Sequence, residues 1–316
     1  MPVKKKLTSG IVAALLLTTS MAAWAQDETL IGLVSITAVE PHNAAYAAGA
    51  AKAAEELGWT TSVVDANGSA DQANAAVQNF VTRGAKAVVA MIFPPSSLGE
   101  GLAAAKAAGV PVVTWGGGMS GTVAATNGSA EPVAQMTLDR MFADIKDDGD
   151  ILALTYRAGE FCRVSEQMLD AMAATRPNVT IVRNEVRIPG AFEDGAQYAN
   201  AWLASHPAGR NLAIWSCWDD PAIGAVSSLR QQGRNDVFVY GSNASPQAIE
   251  AMRGGFMTAS AWQDSYAEGY EMVKVIKTIL EEGDGWEPRA AEVPAVLVTR
   301  ENVEEFVAAH PEVLGH

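Results

Sequence analysis

The chain has 316 residues, with 22 Lys+Arg against 36 Asp+Glu and a formal net charge of −14. That acidity excludes nucleic acid and anionic membrane surfaces as natural partners, because their phosphates demand basic surface. Abundant alanine and glycine with modest aromatics suit tightly packed α/β layers, and the length allows one large or two medium domains.

At the N-terminus, Lys4, Lys5 and Lys6 precede the apolar run "IVAALLL", and "AWA" follows from Ala23 to Ala25. A basic region, a short apolar core and a small-x-small site read as a secretory leader cut before Gln26. The core is too short and too interrupted for a span of roughly 20 apolar residues, so no stable membrane insertion is expected. An uncleaved anchor is the alternative. Removing the leader takes away three lysines and no acid, which makes the mature chain more acidic still.

Beyond it, strand and helix patterns alternate almost without a break. "TLIGLVSI" is an apolar, β-branched run, and "AAYAAGAAKAAEELG" after it reads as a helix stopped by Gly58. "TTSVVDA" precedes a helix opened by Ser69 and closed by Gly84. "AKAVVAMIF", the helix "SSLGEGLAAAKAAG" and the strand "VPVVTW" complete a first array. After "TVAATNGSAEP" the same grammar restarts. The helix "PVAQMTLDRMFADIK" is followed by "DILALTY", "VTIVRNEV", "LAIWSC" and "DVFVYGS", each strand joined to the next by a helix. A long amphipathic helix, "SYAEGYEMVKVIKTILEEG", and a late strand, "VPAVLVTREN", end the chain. Continuous rather than alternating apolar strands mean parallel sheets covered on both faces. Two α/β lobes are expected, with a single eight-unit barrel as the alternative.

In doubly wound sheets ligands collect outside the carboxyl ends of the strands. The segments there include "LVSITAVEPHN", with Ser35, Glu40, His42 and Asn43, and "TWGGG", with Trp115 and Gly116. "TYRAGEFCR", with Arg163, "WSCWDD", with Trp218 and Asp219, "YGSN", with Asn243, and "SAWQD", with Gln263, complete them. No phosphate-loop or dinucleotide glycine pattern is present, nor a G-x-S-x-G nucleophile turn. Glu40, Glu160, Asp219, Asp220 and Asp264 could supply paired carboxylates for glycosidic chemistry, although solvated loop acids explain each of them too. The four histidines, His42, His206, His310 and His316, are scattered, and no metal or cofactor is expected. Trp218 and Trp262, each beside Asp or Gln, read as stacking walls for a sugar-like ligand. Trp215, inside a strand, reads as core, and Trp115 fits either role. Phe161 and Phe192 stand in neighbouring loops.

Cys162 and Cys217 are the only cysteines. Each follows the first or third strand of the second array, and such strands are neighbours in a doubly wound lobe. In an oxidising compartment a disulfide is one reading and two buried thiols the other.

These segments, with "NFVTRGAKAVVAMIFPPSSL", "WLASHPAGRNLAIWSCWDDPAIGAVSSL", "DVFVYGSNASPQAIEAMRGG" and "TASAWQDSYAEGY", resemble in order and spacing the type I periplasmic sugar-binding proteins of ABC transporters, the ribose-binding-like family. The resemblance covers essentially the whole mature length. It implies two Rossmann-like lobes with parallel sheets, hinged by three crossing segments. The boundaries it implies are 26–126 plus 264–290 for the N-terminal lobe and 127–263 plus 291–316 for the C-terminal lobe.

By position, the family's asparagine and stacking aromatics after the first strand fall on Glu40, His42 and Asn43. A later asparagine falls on Trp218, an aspartate on Asn243, and the hinge glutamine is retained as Gln263. The family's arginine at the head of the second lobe falls on Cys162 or, with one slip, Arg163. An Asp-Arg pair of aldopentose binders is replaced by Gly116-Gly117. That replacement implies a wider, less charged site in which ribose is doubtful. The resemblance thus implies a monomeric periplasmic receptor without catalysis, capturing a monosaccharide or sugar-alcohol-like ligand for an inner-membrane ABC permease. A periplasmic sugar hydrolase or isomerase, and a sensory module docking on a chemoreceptor, are the rival readings.

Overall fold

The computed structural model describes residues 1–2 and 29–314, so the rest of the leader, residues 3–25, and its cleavage point lie outside the described residues. The first array forms β1 (Leu30–Ser35), β2 (Thr60–Asp65), β3 (Ala87–Met91), β4 (Val112–Trp115) and β5 (Ala125–Asn127). The second forms β6 (Gly149–Thr155), β7 (Val179–Glu185), β8 (Leu212–Ser216), β9 (Val237–Ser242) and β10 (Ala259–Gln263). Late in the chain come β11 (Arg289–Ala290) and β12 (Ala295–Thr299).

The strands make two separate six-stranded sheets, ordered β11-β5-β4-β3-β1-β2 and β12-β10-β9-β8-β6-β7. Two open sheets rule out the barrel. The first is parallel throughout, and only β12 runs antiparallel in the second. Central strands such as β3 and β6 are buried at every residue, as continuous apolar runs require, whereas the edge strands β2 and β7 are not. β5 and β11 were not expected, because a strand of three or two residues carries no readable periodicity.

The helices are α1 (Pro41–Glu56), α2 (Ala70–Thr82), α3 (Gly99–Ala107), α4 (Ala130–Asp144), α5 (Glu160–Ala173), α6 (Ala191–Leu203), α7 (Asp219–Gln232), α8 (Pro246–Arg253), α9 (Ser265–Glu282) and α10 (Val303–Ala309). Ser69 caps α2 by accepting from the Gln72 amide, the role its position predicts. α1 and α9 approach so closely that a Cβ on Gly49 would enter the Tyr266 carbonyl, and one on Gly269 the Tyr46 carbonyl. Glycine at both positions lets the helices share one backbone contact, and that contact fixes where α9 presents its buried face.

The chain passes between the sheets from β5 to α4, from β10 to α9, and from β11 to β12. These crossings are tied to one another. Gln263 Nε2 donates to the Val293 carbonyl at 2.8 Å, and Ser129 Oγ donates to Glu292 at 2.5 Å.

Candidate functional site

The carboxyl ends of both sheets face a common cleft with about 670 Å³ of space free of protein atoms, part of it open to solvent. Three hydrogen bonds close the cleft from lobe to lobe. Asn243 Nδ2 donates to Glu40 Oε1 at 3.3 Å, Tyr156 Oη to the Gly68 carbonyl at 3.2 Å, and the Glu160 amide to the Ile92 carbonyl at 2.9 Å. Ile92 itself has φ 74°, an uncommon conformation for a β-branched residue, and its own amide donates to the Trp115 carbonyl at 2.6 Å. Such strain persists where the surroundings over-determine the backbone, as at ligand clamps.

Glu40, His42, Asn43, Trp115, Gly116, Trp218, Asn243 and Gln263 all line this cleft, so eight of the eleven expected residues meet at one place. Trp115 ends β4 and is held from both sides. Its ring stacks on Tyr46 at 4.6 Å, and its Nε1 donates to Glu268 Oε2 at 2.7 Å. His42 tilts against the same ring at 5.3 Å; the protein packed around it disfavours the imidazolium and lowers its pKa, so it is neutral at pH 7. Across the cleft Trp218 meets Tyr156 edge-on at 6.1 Å. Glu40 Oε2 caps α1 by accepting from the Asn43 amide at 2.8 Å, and Asn43 Nδ2 closes the loop onto the Thr37 carbonyl at 2.8 Å. Burial pushes the Glu40 pKa up to about 7, with Asp220 adding to it and the Asn43 amide opposing it.

Residues 31–284 match the family model of the periplasmic binding protein domain. The chain belongs to the periplasmic binding protein family. It is 27% identical over 276 residues to the ribose import binding protein of Escherichia coli, covering 82% of this chain and 87% of that one. It is 25% identical over 307 residues to the D-apiose import binding protein of Actinobacillus succinogenes, covering 95% of this chain and 97% of that one. Among solved structures, an ABC transporter solute binding protein from Agrobacterium vitis with bound allitol superposes with a TM-score of 0.82 at 22% identity. The superposition covers 89% of this chain and 99% of that one. The 5-methylthioribose transporter solute binding protein from Thermotoga lettingae gives 0.79 at 23%, covering 91% and 93%. These two likenesses establish the type I fold. A periplasmic location follows from the family.

In this binding protein three expected contacts lie away from the cleft. Ser35 still belongs to β1, paired with Asp65, and the lining begins one residue later at Ile36. Arg163 stands on α5 paired with Glu160 and largely exposed, outside the cleft. Asp219 is 1% exposed and turned inward, where its carboxylate accepts from the Ser245 amide at 2.7 Å and Ser260 Oγ at 2.8 Å. Burial raises its pKa to about 7 against those hydrogen bonds.

Trp262 is a fourth correction. Ala261 and Gln263 line the cleft, whereas Trp262 between them points into an adjoining pocket that shares His42 and Asn243 with it. There it packs on Phe306 at 5.2 Å and His310 at 4.5 Å. Trp215 is core, 1% exposed, while Phe192 is exposed outside the cleft.

Of the acids considered for glycosidic chemistry only Glu40 reaches the cleft, since Glu160 pairs with Arg163 and Asp264 caps α9 through the Ala267 amide. Among the described residues no cluster of His, Cys, Asp and Glu could hold a metal ion.

Glu268 is the residue sequence reasoning missed. It stands on α9 at 265-268-269-272-273-276-279, the stripe whose other members are buried small or apolar residues. A glutamate on an apolar stripe was the available signal. Burial pushes its pKa up to about 8, with Glu292 and Asp264 adding to this and the Trp115 indole and Gly128 amide opposing it.

The glycines after Trp115 need a different account from the one expected. A Cβ on Gly117 would stand 2.5 Å from the Phe93 carbonyl oxygen, so this glycine is demanded by packing. Gly116 does line the cleft, yet its φ of 62° and a 2.7 Å approach to Ile92 Cδ1 also oppose a side chain. Gly117→Ala should therefore destabilise the protein by about 1–3 kcal/mol, the usual range for overpacking. Thermal denaturation should fall while affinity per folded molecule holds; a lost affinity at unchanged melting temperature would restore the ligand-space explanation.

Proposed function

We propose that this protein is the exported receptor of an ABC importer, capturing a monosaccharide or sugar-alcohol-like solute between its lobes and presenting it to an inner-membrane permease. The observation that carries the reading is the cleft itself. Aromatic side chains from both lobes line it, Trp115 from one and Trp218 with Tyr156 from the other, with Asn43, Asn243 and Gln263 among its polar lining. Flat rings match the C–H faces of a polyol, and amide side chains match its hydroxyls. Relatives named for ribose and D-apiose import, and a related fold holding allitol, agree with that chemistry.

We take the lobes as 26–126 with 264–290 and 127–263 with 291–316, and the leader as cleaved before Gln26. The protein acts as a monomer and without catalysis. Its work is lobe closure, which desolvates the ligand contacts and creates the state a permease would recognise. Ribose is disfavoured, because no charged pair stands where Gly116 and Gly117 do.

A thermal-shift screen of sugars and sugar alcohols should yield a ligand that raises the melting temperature and is recovered chemically unchanged. Conversion of that ligand would make the protein an enzyme, and a flat response across the screen would remove the sugar reading.

A further inference from the structure

The charge balance of the cleft is uneven. Glu268 is 0% exposed and lines the cavity; Oε2 accepts from Trp115 Nε1 and the Gly128 amide approaches the carboxyl, but Oε1 makes no hydrogen bond among the described residues. A buried carboxylate oxygen left without a donor is costly unless something that binds there supplies one. Glu40 is a second acid in the lining, and its Oε1 accepts from Asn243 at 3.3 Å. No Lys or Arg is found among the described residues that line the cleft. The position where the resemblance would put an arginine is taken by Cys162, tied to Cys217, while Arg163 is engaged by Glu160 outside. Beside aliphatic residues such as Ile36 and Val133, the lining includes Trp115, Trp218, Tyr156 and Phe161, and aromatic rings attract cations.

We propose that the solute carries a protonated amine on its hydroxylated body, with the ammonium donating to Glu268 Oε1 near the aromatic walls. This rests on the solute-receptor reading and narrows it from sugars in general to amino sugars or amino polyols. The groups that face Glu268 agree. Tyr46 from α1, Asp264 at the head of α9 and Glu292 from the last crossing bring no positive charge, so any cation beside Glu268 comes from the ligand. Burial, which raises its pKa to about 8, keeps Glu268 mostly protonated at pH 7, and an arriving ammonium would favour the carboxylate. Binding should therefore release protons.

Titration calorimetry at pH 7 on the mature protein tests this with matched pairs: D-glucitol against 1-amino-1-deoxy-D-glucitol, ribitol against 1-amino-1-deoxyribitol, and D-glucose against D-glucosamine. In at least one pair the amine should bind tenfold or more tighter, with proton release visible as a heat that depends on the ionisation enthalpy of the buffer. Glu268→Gln should erase that preference. If this variant does not fold, the paired comparison and proton count on the unmutated protein still decide. Neutral members binding as well as their amines would overturn the inference and leave the receptor reading standing, as would an amine preference that survives Glu268→Gln in folded protein. Binding by no member of any pair would overturn both.

Discussion

Replacing Cys162 and Cys217 together by serine should lower the unfolding free energy by about 4 kcal/mol, the loop-closure value for a long cross-linked segment. The disulfide joins residues 55 apart, with Cα atoms 5.2 Å from each other. It fastens the first turn of α5 to the end of β8 and so holds one wall of the cleft. Denaturation in urea should show a lower midpoint for the double variant, and reductant should bring the unmutated protein to the same value. A midpoint indifferent to both changes would mean that the bond adds nothing to the folded state's advantage.

Trp218→Ala should weaken binding of the solute by about 1–3 kcal/mol, or roughly 5- to 150-fold in Kd. Trp218 precedes α7, lines the cleft and touches Tyr156 only edge-on, which leaves aromatic surface for a ligand. Trp262→Ala is the matched control, because its ring packs against Phe306 and His310 and is not part of the cleft lining. That change should cost stability and spare affinity. Affinity lost with Trp262 and kept without Trp218 would reverse the assignment.

These two tryptophans show how far the sequence could be read. Both stand at strand ends and both adjoin polar residues, so composition alone treats them alike. Parity separates them: Gln263 and Ala261 line the cleft, and Trp262 between them points into the adjoining pocket instead. The lobes were legible because buried parallel strands leave unbroken apolar runs, whereas β5 and β11 were too short to leave any pattern. The adjacency of Cys162 and Cys217 followed from strand order, since β6 and β8 are neighbours. Gly117 was not legible as a packing glycine, because Phe93, whose carbonyl forbids its side chain, lies on a different strand-end loop. Glu268 was hidden by position. It lies beyond the strand tips, on a helix whose return to the first lobe is a tertiary fact, and only its place on the apolar stripe betrayed it.

Capture by closure is the central claim, and small-angle scattering of the mature protein with and without a saturating ligand tests it most directly. The bonds from Asn243 to Glu40, Tyr156 to Gly68 and Glu160 to Ile92 belong to a closed cleft, and the bound form should keep them. The radius of gyration should fall on saturation, at constant molecular mass, as the lobes swing together. A radius unchanged by a ligand that binds tightly would contradict the hinge, and with it the account of how this protein works.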